Sequence, residues 1–125
     1  MPTFSVLVID DEVDFLETLV NRLQKRKLDA VGMASGEQAL ALLSERSFDV
    51  ILLDIKMPGG MDGIETLHAI KKRQPLAEVI LLTGHASIET SIEVMQLGAY
   101  DYLLKPVKFE ELLVKITSAF EKNPH

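Results

Sequence analysis

The chain has 125 residues, with 47% hydrophobic and 26% charged side chains, which is the make-up of one ordinary globular domain with its own core and no room for a second. Its 13 basic residues are outnumbered by 19 acidic ones, for a net charge of -6, so direct binding to nucleic acid by the usual electrostatic route is disfavoured. There is no cysteine, which removes disulfides, thiolate nucleophiles and cysteine-based zinc sites together.

Strand-like and helix-like stretches alternate along the chain, the pattern of a parallel sheet wrapped by helices. The first strand is expected at residues 5–9, where the apolar run Val6-Leu7-Val8-Ile9 opens directly onto Asp10, Asp11 and Glu12. A helix follows, because Val13, Leu16, Leu19, Val20 and Leu23 recur at helical spacing. A second strand at residues 30–33 leads to a helix with Ser35 as its N-cap and Ala39, Leu40 and Leu43 on its apolar face. The third run, Val50-Ile51-Leu52-Leu53, ends on Asp54, and the next helix uses Ile64, Leu67 and Ile70 before Pro75 stops the pattern.

A fourth strand at residues 79–82 ends on Thr83. The helix after it, residues 87–97, is expected to turn Ile88, Ile92 and Met95 inward, a thin stripe among Ser, Thr and Glu. Such a stripe suits a movable element, since few buried contacts mean a low cost of displacement. The fifth strand, residues 100–103, runs toward Lys105-Pro106. The last helix, residues 108–121, has a full stripe of Phe109, Leu112, Leu113, Ile116 and Phe120 and should pack firmly. Right-handed crossovers with helices on both faces limit the topology to a doubly wound sheet. The domain is expected over residues 4–121, with residues 122–125 a polar tail or the start of a linker. The apolar runs are too short to span a membrane, and Met1-Pro2-Thr3 does not begin a signal peptide, so a cytoplasmic location is expected.

Parallel strands bring their carboxyl ends to one edge of the sheet, where ligand sites form in open α/β folds. An acid cluster, a lone acid, a hydroxyl and a lysine therefore converge there. That set suits a Mg²⁺ ion and a phosphoryl group carried on an aspartate. Each member also has a plainer role: Asp10, Asp11 and Asp14 as acids at a helix N-terminus, Asp54 as a turn residue, and Thr83 as a β-branched strand end. The three histidines, His68, His85 and His125, have no metal-ligand spacing.

The pieces Val8-Ile9-Asp10-Asp11-Glu12, Asp54-Ile55-Lys56-Met57-Pro58, Met61-Asp62-Gly63, Thr83-Gly84-His85 and Lys105-Pro106, in this order and spacing, resemble a response-regulator receiver domain of two-component signalling, from Phe4 to about Phe120. The resemblance implies a flavodoxin-like five-stranded sheet of order 2-1-3-4-5. It implies that Asp54 is the phosphoacceptor, that Asp11, Asp54 and the backbone carbonyl of Lys56 bind Mg²⁺ directly, and that Asp10 acts on the metal through water. Thr83 and Lys105 would then contact the phosphoryl group, Tyr102 would be the rotating aromatic switch, and the Lys105–Pro106 peptide would be cis. Lys56 and His85 would flank the water that ends the signal, modulating its lifetime.

The partners implied are a sensor histidine kinase or phosphotransfer protein and a downstream effector reached through helix 4, strand 5 and helix 5. A phosphorylation-linked homodimer is also in view, with neither nucleic acid nor membrane bound directly. The tract from Gly98 to Pro106 looks similar to receivers attached to ATPase-type transcription activators. One departure stands out: the family's Met-Pro-x-Met-Asp-Gly loop is one residue longer here, Met57-Pro58-Gly59-Gly60-Met61-Asp62-Gly63. The domain is not expected to be an enzyme, its phosphoryl transfer being self-directed. The competing enzyme class is an α/β phosphatase or phosphotransferase with an aspartate nucleophile, but the second acid it would use two places after the nucleophile is replaced by Lys56. An interaction module that no longer accepts phosphate would have lost active-site residues, and none is lost.

Overall fold

The computed structural model describes residues 3–84 and 87–122. Five strands and five helices alternate: β1 (Ser5–Ile9), α1 (Val13–Lys25), β2 (Asp29–Met33), α2 (Gly36–Leu43), β3 (Val50–Asp54), α3 (Gly63–Arg73), β4 (Glu78–Thr83), α4 (Ile88–Gln96), β5 (Asp101–Leu104) and α5 (Phe109–Lys122). All pairings are parallel and the order is β2-β1-β3-β4-β5. Every residue of β3 and β4 is buried, as central strands covered on both faces must be. The predicted strands hold, lengthened or shifted by a residue at their ends.

Successive side chains of each strand leave on opposite faces, and the core divides accordingly. Val6, Val8, Val50, Leu52, Ile80 and Leu82 meet α1 and α5. Leu7, Ile9, Ile51, Leu53, Val79 and Leu81 meet α2, α3 and α4. The same alternation, carried one step past Leu53, sets Asp54 on the α1 and α5 side. Leu16, Leu19 and Leu23 of α1 are buried, and α5 docks through Phe109, Leu112, Leu113, Ile116 and Ala119. Phe120 stacks on Phe4 with ring centroids 4.3 Å apart, tying the end of α5 to the start of β1.

Helix α4 corrects the expectation drawn from its spacing. Ile88, Ile92 and Met95 are 80%, 51% and 43% exposed, and the helix buries only Val94. Periodicity shows which residues share a face, and it does not show which way that face points. At about 1.5–3 kcal/mol per fully buried aliphatic side chain, one valine holds α4 where three leucines hold α1. Ser87 caps α4 through the Thr90 N–H at 3.0 Å, and Ser35 caps α2 through the Gln38 N–H at 3.1 Å. Among the described residues no helix is long and apolar enough to cross a membrane.

Candidate functional site

The ends of β1, β3, β4 and β5 build the site. Asp10 follows β1 and is 1% exposed; Asp54 closes β3 and is 5% exposed. Lys105 follows β5 and reaches back across the sheet edge. Its ammonium lies 2.7 Å from Asp10 Oδ2, 3.4 Å from Glu12 Oε1 and 3.7 Å from Asp54 Oδ2. The same ammonium stands 4.4 Å from the centre of the Phe15 ring, an orientation that adds a cation–π attraction. The Lys105–Pro106 peptide is cis, as the resemblance implied.

The electrostatics are unbalanced in a telling way. Burial pushes the Asp54 carboxyl up to about 6, the charge of Asp10 adds to the rise, and Lys105 and the Lys56 N–H only partly offset them. Burial works against the Lys105 ammonium too, but its hydrogen bond to Asp10 and the charges of Asp10, Asp54 and Glu12 outweigh it and hold its pKa above the ordinary lysine value. One lysine thus serves three carboxylates. Oxygens of Asp10, Glu12 and Asp54 lie within 4.8 Å of one another, a set of hard donors that could hold a divalent cation and would be relieved by one.

Asp11 is exposed and borders a small adjoining cleft of about 60 Å³ with Ser35, Glu37 and the loop from Met57 to Met61. Its charge still raises the Asp54 pKa. Lys56 donates its backbone N–H to Asp54 Oδ1 at 3.2 Å, while its side chain is exposed. Thr83 is 1% exposed, one residue beyond the partner of Asp54 on β4, and its carbonyl accepts the Lys105 N–H at 2.7 Å. Tyr102 pairs with Leu81 and packs half-buried against the core on the α4 side. His85 lies outside the described residues.

Glu12, Phe15, Gly63 and Glu37 make contributions to which the sequence assigns no site role, although Glu12 and Gly63 stand in the motif pieces that carry the resemblance. Glu12, the last acid of the run after Ile9, is exposed but belongs to the acid group around Lys105, and its N–H donates to Asp10 Oδ1 at 2.9 Å. Gly63 sits where a Cβ would stand 2.4 Å from Ile55 Cα and 2.5 Å from the Asp54 carbonyl oxygen. Only glycine lets α3 begin that close to the end of β3. The spacing of Gly63 after Asp54 carried a signal through the resemblance; Glu37 carried none.

The model of the response regulator receiver domain family matches residues 6–117. The chain belongs to the response-regulator receiver family. The receiver is 37% identical over 122 residues to a putative NtrX-like response regulator of Rickettsia conorii, covering 97% of this chain and 26% of that protein. It is 37% identical over 114 residues to the transcriptional regulatory protein ZraR of Escherichia coli K12, covering 91% of this chain and again 26% of the relative. The chain therefore spans about a quarter of the length of these relatives. Among solved structures, the receiver domain of NtrX from Brucella abortus matches with a TM-score of 0.88 and 33% identity, over 94% of this chain and 99% of that one. The receiver fold is thus read alike from topology and from kinship.

Proposed function

We propose that this receiver is a phosphorylation-dependent signalling switch in which Asp54 takes a phosphoryl group from a phosphohistidine on a sensor histidine kinase or phosphotransfer protein. The observation that carries this is the buried Asp54 carboxylate at the end of the central strand, crowded by Asp10 and Glu12 with the Lys105 ammonium between them. In the transfer an Asp54 oxygen attacks phosphorus, the phosphorus–nitrogen bond of the donor breaks, and the imidazole leaves with the electron pair and takes up a proton. Lys105 meets the charge of the incoming oxygens, and the Thr83 hydroxyl donates to another. Mg²⁺ would be held directly by Asp11, Asp54 and the Lys56 carbonyl, with Asp10 acting through water, and would supply the charge neutralisation that two approaching anions need.

The domain does this chemistry on itself once per phosphoryl group, so it is a switch and not an enzyme, and it works in the cytoplasm. Thr83 drawn toward the phosphoryl group leaves space that Tyr102 can fill, and α4, held by one buried valine, shifts with it. Ile92 and Met95 of α4, Leu104 of β5 and Val114 of α5 are exposed apolar side chains that fit an output surface toward an effector module or a second copy. ZraR is named a transcriptional regulatory protein; a DNA-binding effector elsewhere in a longer regulator suits this chain, whose own charge of -6 keeps the receiver off nucleic acid.

The test is intact-mass spectrometry after treatment with a small phosphodonor such as acetyl phosphate. One phosphoryl group is expected in the presence of Mg²⁺, and none in Asp54→Asn or in excess chelator. A label that survives either condition would sink the reading. Amide hydrogen exchange over residues 87–104, with and without the label, then reads the switch, and Thr83→Ala or Tyr102→Ala should accept phosphate yet show a blunted change.

A further inference from the structure

The loop after the phosphoacceptor is one residue longer than the family pattern, and the fold has to hold it in place. Its ends are clamped: the Ile55 N–H donates to the Leu82 carbonyl at 3.3 Å and the Gly63 N–H to the Ile55 carbonyl at 3.0 Å. Asp62 and Glu65 close a capping box at the start of α3. Between the clamps lie Pro58, which has no N–H, Gly59 at φ +88° and Gly60, a stretch with little preference of its own. Among the described residues, the backbone of the stretch 57–61 makes one hydrogen bond, from the Met61 N–H to Glu37 Oε2 at 3.0 Å.

Glu37 offers that oxygen from a rigid mount. It lies in the first turn of α2, which Ser35 caps. Gly36 beside it packs so closely on Thr66 of α3 that a Cβ there would fall 2.2 Å from Thr66 Oγ1. Thr66 Oγ1 in turn donates to the Asp62 carbonyl at 2.7 Å. The first turns of α2 and α3 are therefore joined, and Glu37 spans from that joint to the loop. Gly60 completes the fit, since a Cβ there would stand 2.9 Å from Glu37 Oε2. The Met61 N–H, and then Glu37's own N–H, hold the Glu37 carboxyl below the usual glutamate value. Asp11 lines the same cleft as Glu37 and the loop, so the latch stands beside Asp11.

We infer that Glu37 is a positioning residue: it latches the lengthened loop at Met61 so that the Lys56 backbone is presented to the metal beside Asp11 and Asp54. This rests on the reading of Asp54 as a metal-assisted phosphoacceptor. A simple electrostatic role for Glu37, in which its negative charge attracts the cation through solvent, is the competing account. Glutamine separates the two, because it keeps an acceptor oxygen for the Met61 N–H and drops the charge.

The experiment compares the parent chain with Glu37→Ala and Glu37→Gln, reading Mg²⁺ affinity by calorimetric titration and Met61 amide exchange by NMR. Glu37→Ala is expected to weaken Mg²⁺ binding by about tenfold, the lower end of what supporting partners of metal ligands contribute, and to speed Met61 exchange by about tenfold. Glu37→Gln should keep most of the affinity and of the Met61 protection. Parent-like Mg²⁺ affinity in Glu37→Ala overturns the proposal, whatever Met61 does. Equal weakening in both variants, with Met61 still protected in Glu37→Gln, overturns it in favour of the charge account. Should the alanine variant fold poorly, the glutamine variant and Gly60→Ala, which crowds Glu37 away from Met61 and is expected to weaken Mg²⁺ binding likewise, decide the matter; parent-like affinity in Gly60→Ala counts against the latch. Failure of the parent itself to bind Mg²⁺ or to take a phosphoryl group on Asp54 would instead bring down the reading of the site.

Discussion

Replacing Asp54 by asparagine should make the protein more stable at neutral pH, although it removes the residue on which the proposed function depends. The Asp54 pKa is raised from 3.8 to about 6 by burial and by Asp10. In the unfolded chain the group titrates near its ordinary value, so the folded state binds the proton more tightly. Folding therefore loses stability as pH rises through the window from about 4 to about 6, and the full cost stands above it. Two pKa units correspond to about 3 kcal/mol at 1.36 kcal/mol per unit; water at the sheet edge relieves part of that, leaving about 1–3 kcal/mol. An asparagine side chain cannot ionise, so Asp54→Asn is expected to gain that amount at pH 7.5, a rise in Tm of roughly 3–10 °C for a domain of this size, and to gain little at pH 4. Thermal unfolding in the absence of divalent ions, followed by circular dichroism at both pH values, measures it. Added Mg²⁺ should then raise the Tm of the parent far more than that of the variant, since binding to the folded state alone stabilises by mass action. An asparagine variant no more stable than the parent at pH 7.5, or stabilised equally at pH 4, would refute the account of Asp54 as a repelled buried carboxylate.

Lys105→Met should destabilise the metal-free protein at neutral pH by about 3 kcal/mol, because it leaves Asp10, 1% exposed, without its cation; urea unfolding should show Mg²⁺ restoring more stability to this variant than to the parent, and equal restoration would count against the shared acid group. Gly63→Ala should cost about 3 kcal/mol or displace the start of α3, since its Cβ would strike the Ile55 and Asp54 backbone, and parent-like stability in a denaturant titration would contradict that contact. At the opposite sheet edge, Glu78 is 4% exposed and its Oε2 is paired with Lys122 Nζ at 3.3 Å. Lys122→Met should therefore cost about 1–2 kcal/mol by leaving a buried charge poorly compensated, while Glu78→Gln should be closer to neutral; the reverse order in urea midpoints would show that the ion pair is not what tolerates Glu78.

The strands were legible because complete burial is written as an unbroken apolar run, and the site was legible because such runs stop at Asp54, Thr83 and the acids after Ile9. Lys105 reaches Asp10 across 95 positions of sequence, yet parallel topology alone brings their strands to one edge. The Glu37 latch was hidden because each of its parts has a local explanation: an acid in a first helical turn suits the dipole, and paired glycines suit any loop. Helix α4 was misread for a different reason, since its apolar stripe is real and faces outward. That correction bears on the switch. Undocking Val94 costs on the order of 1.5–3 kcal/mol, and the strain at Asp54 is of the same size. Because 1.4 kcal/mol changes a two-state population tenfold, a change at Asp54 that favoured one position of α4 by about that amount would be comparable with what holds α4 and small beside the three buried leucines of α1. Thr83 ends the strand that precedes α4, one residue beyond the partner of Asp54, so the weakest-held helix is also the one that follows the strand beside the proposed phosphoacceptor.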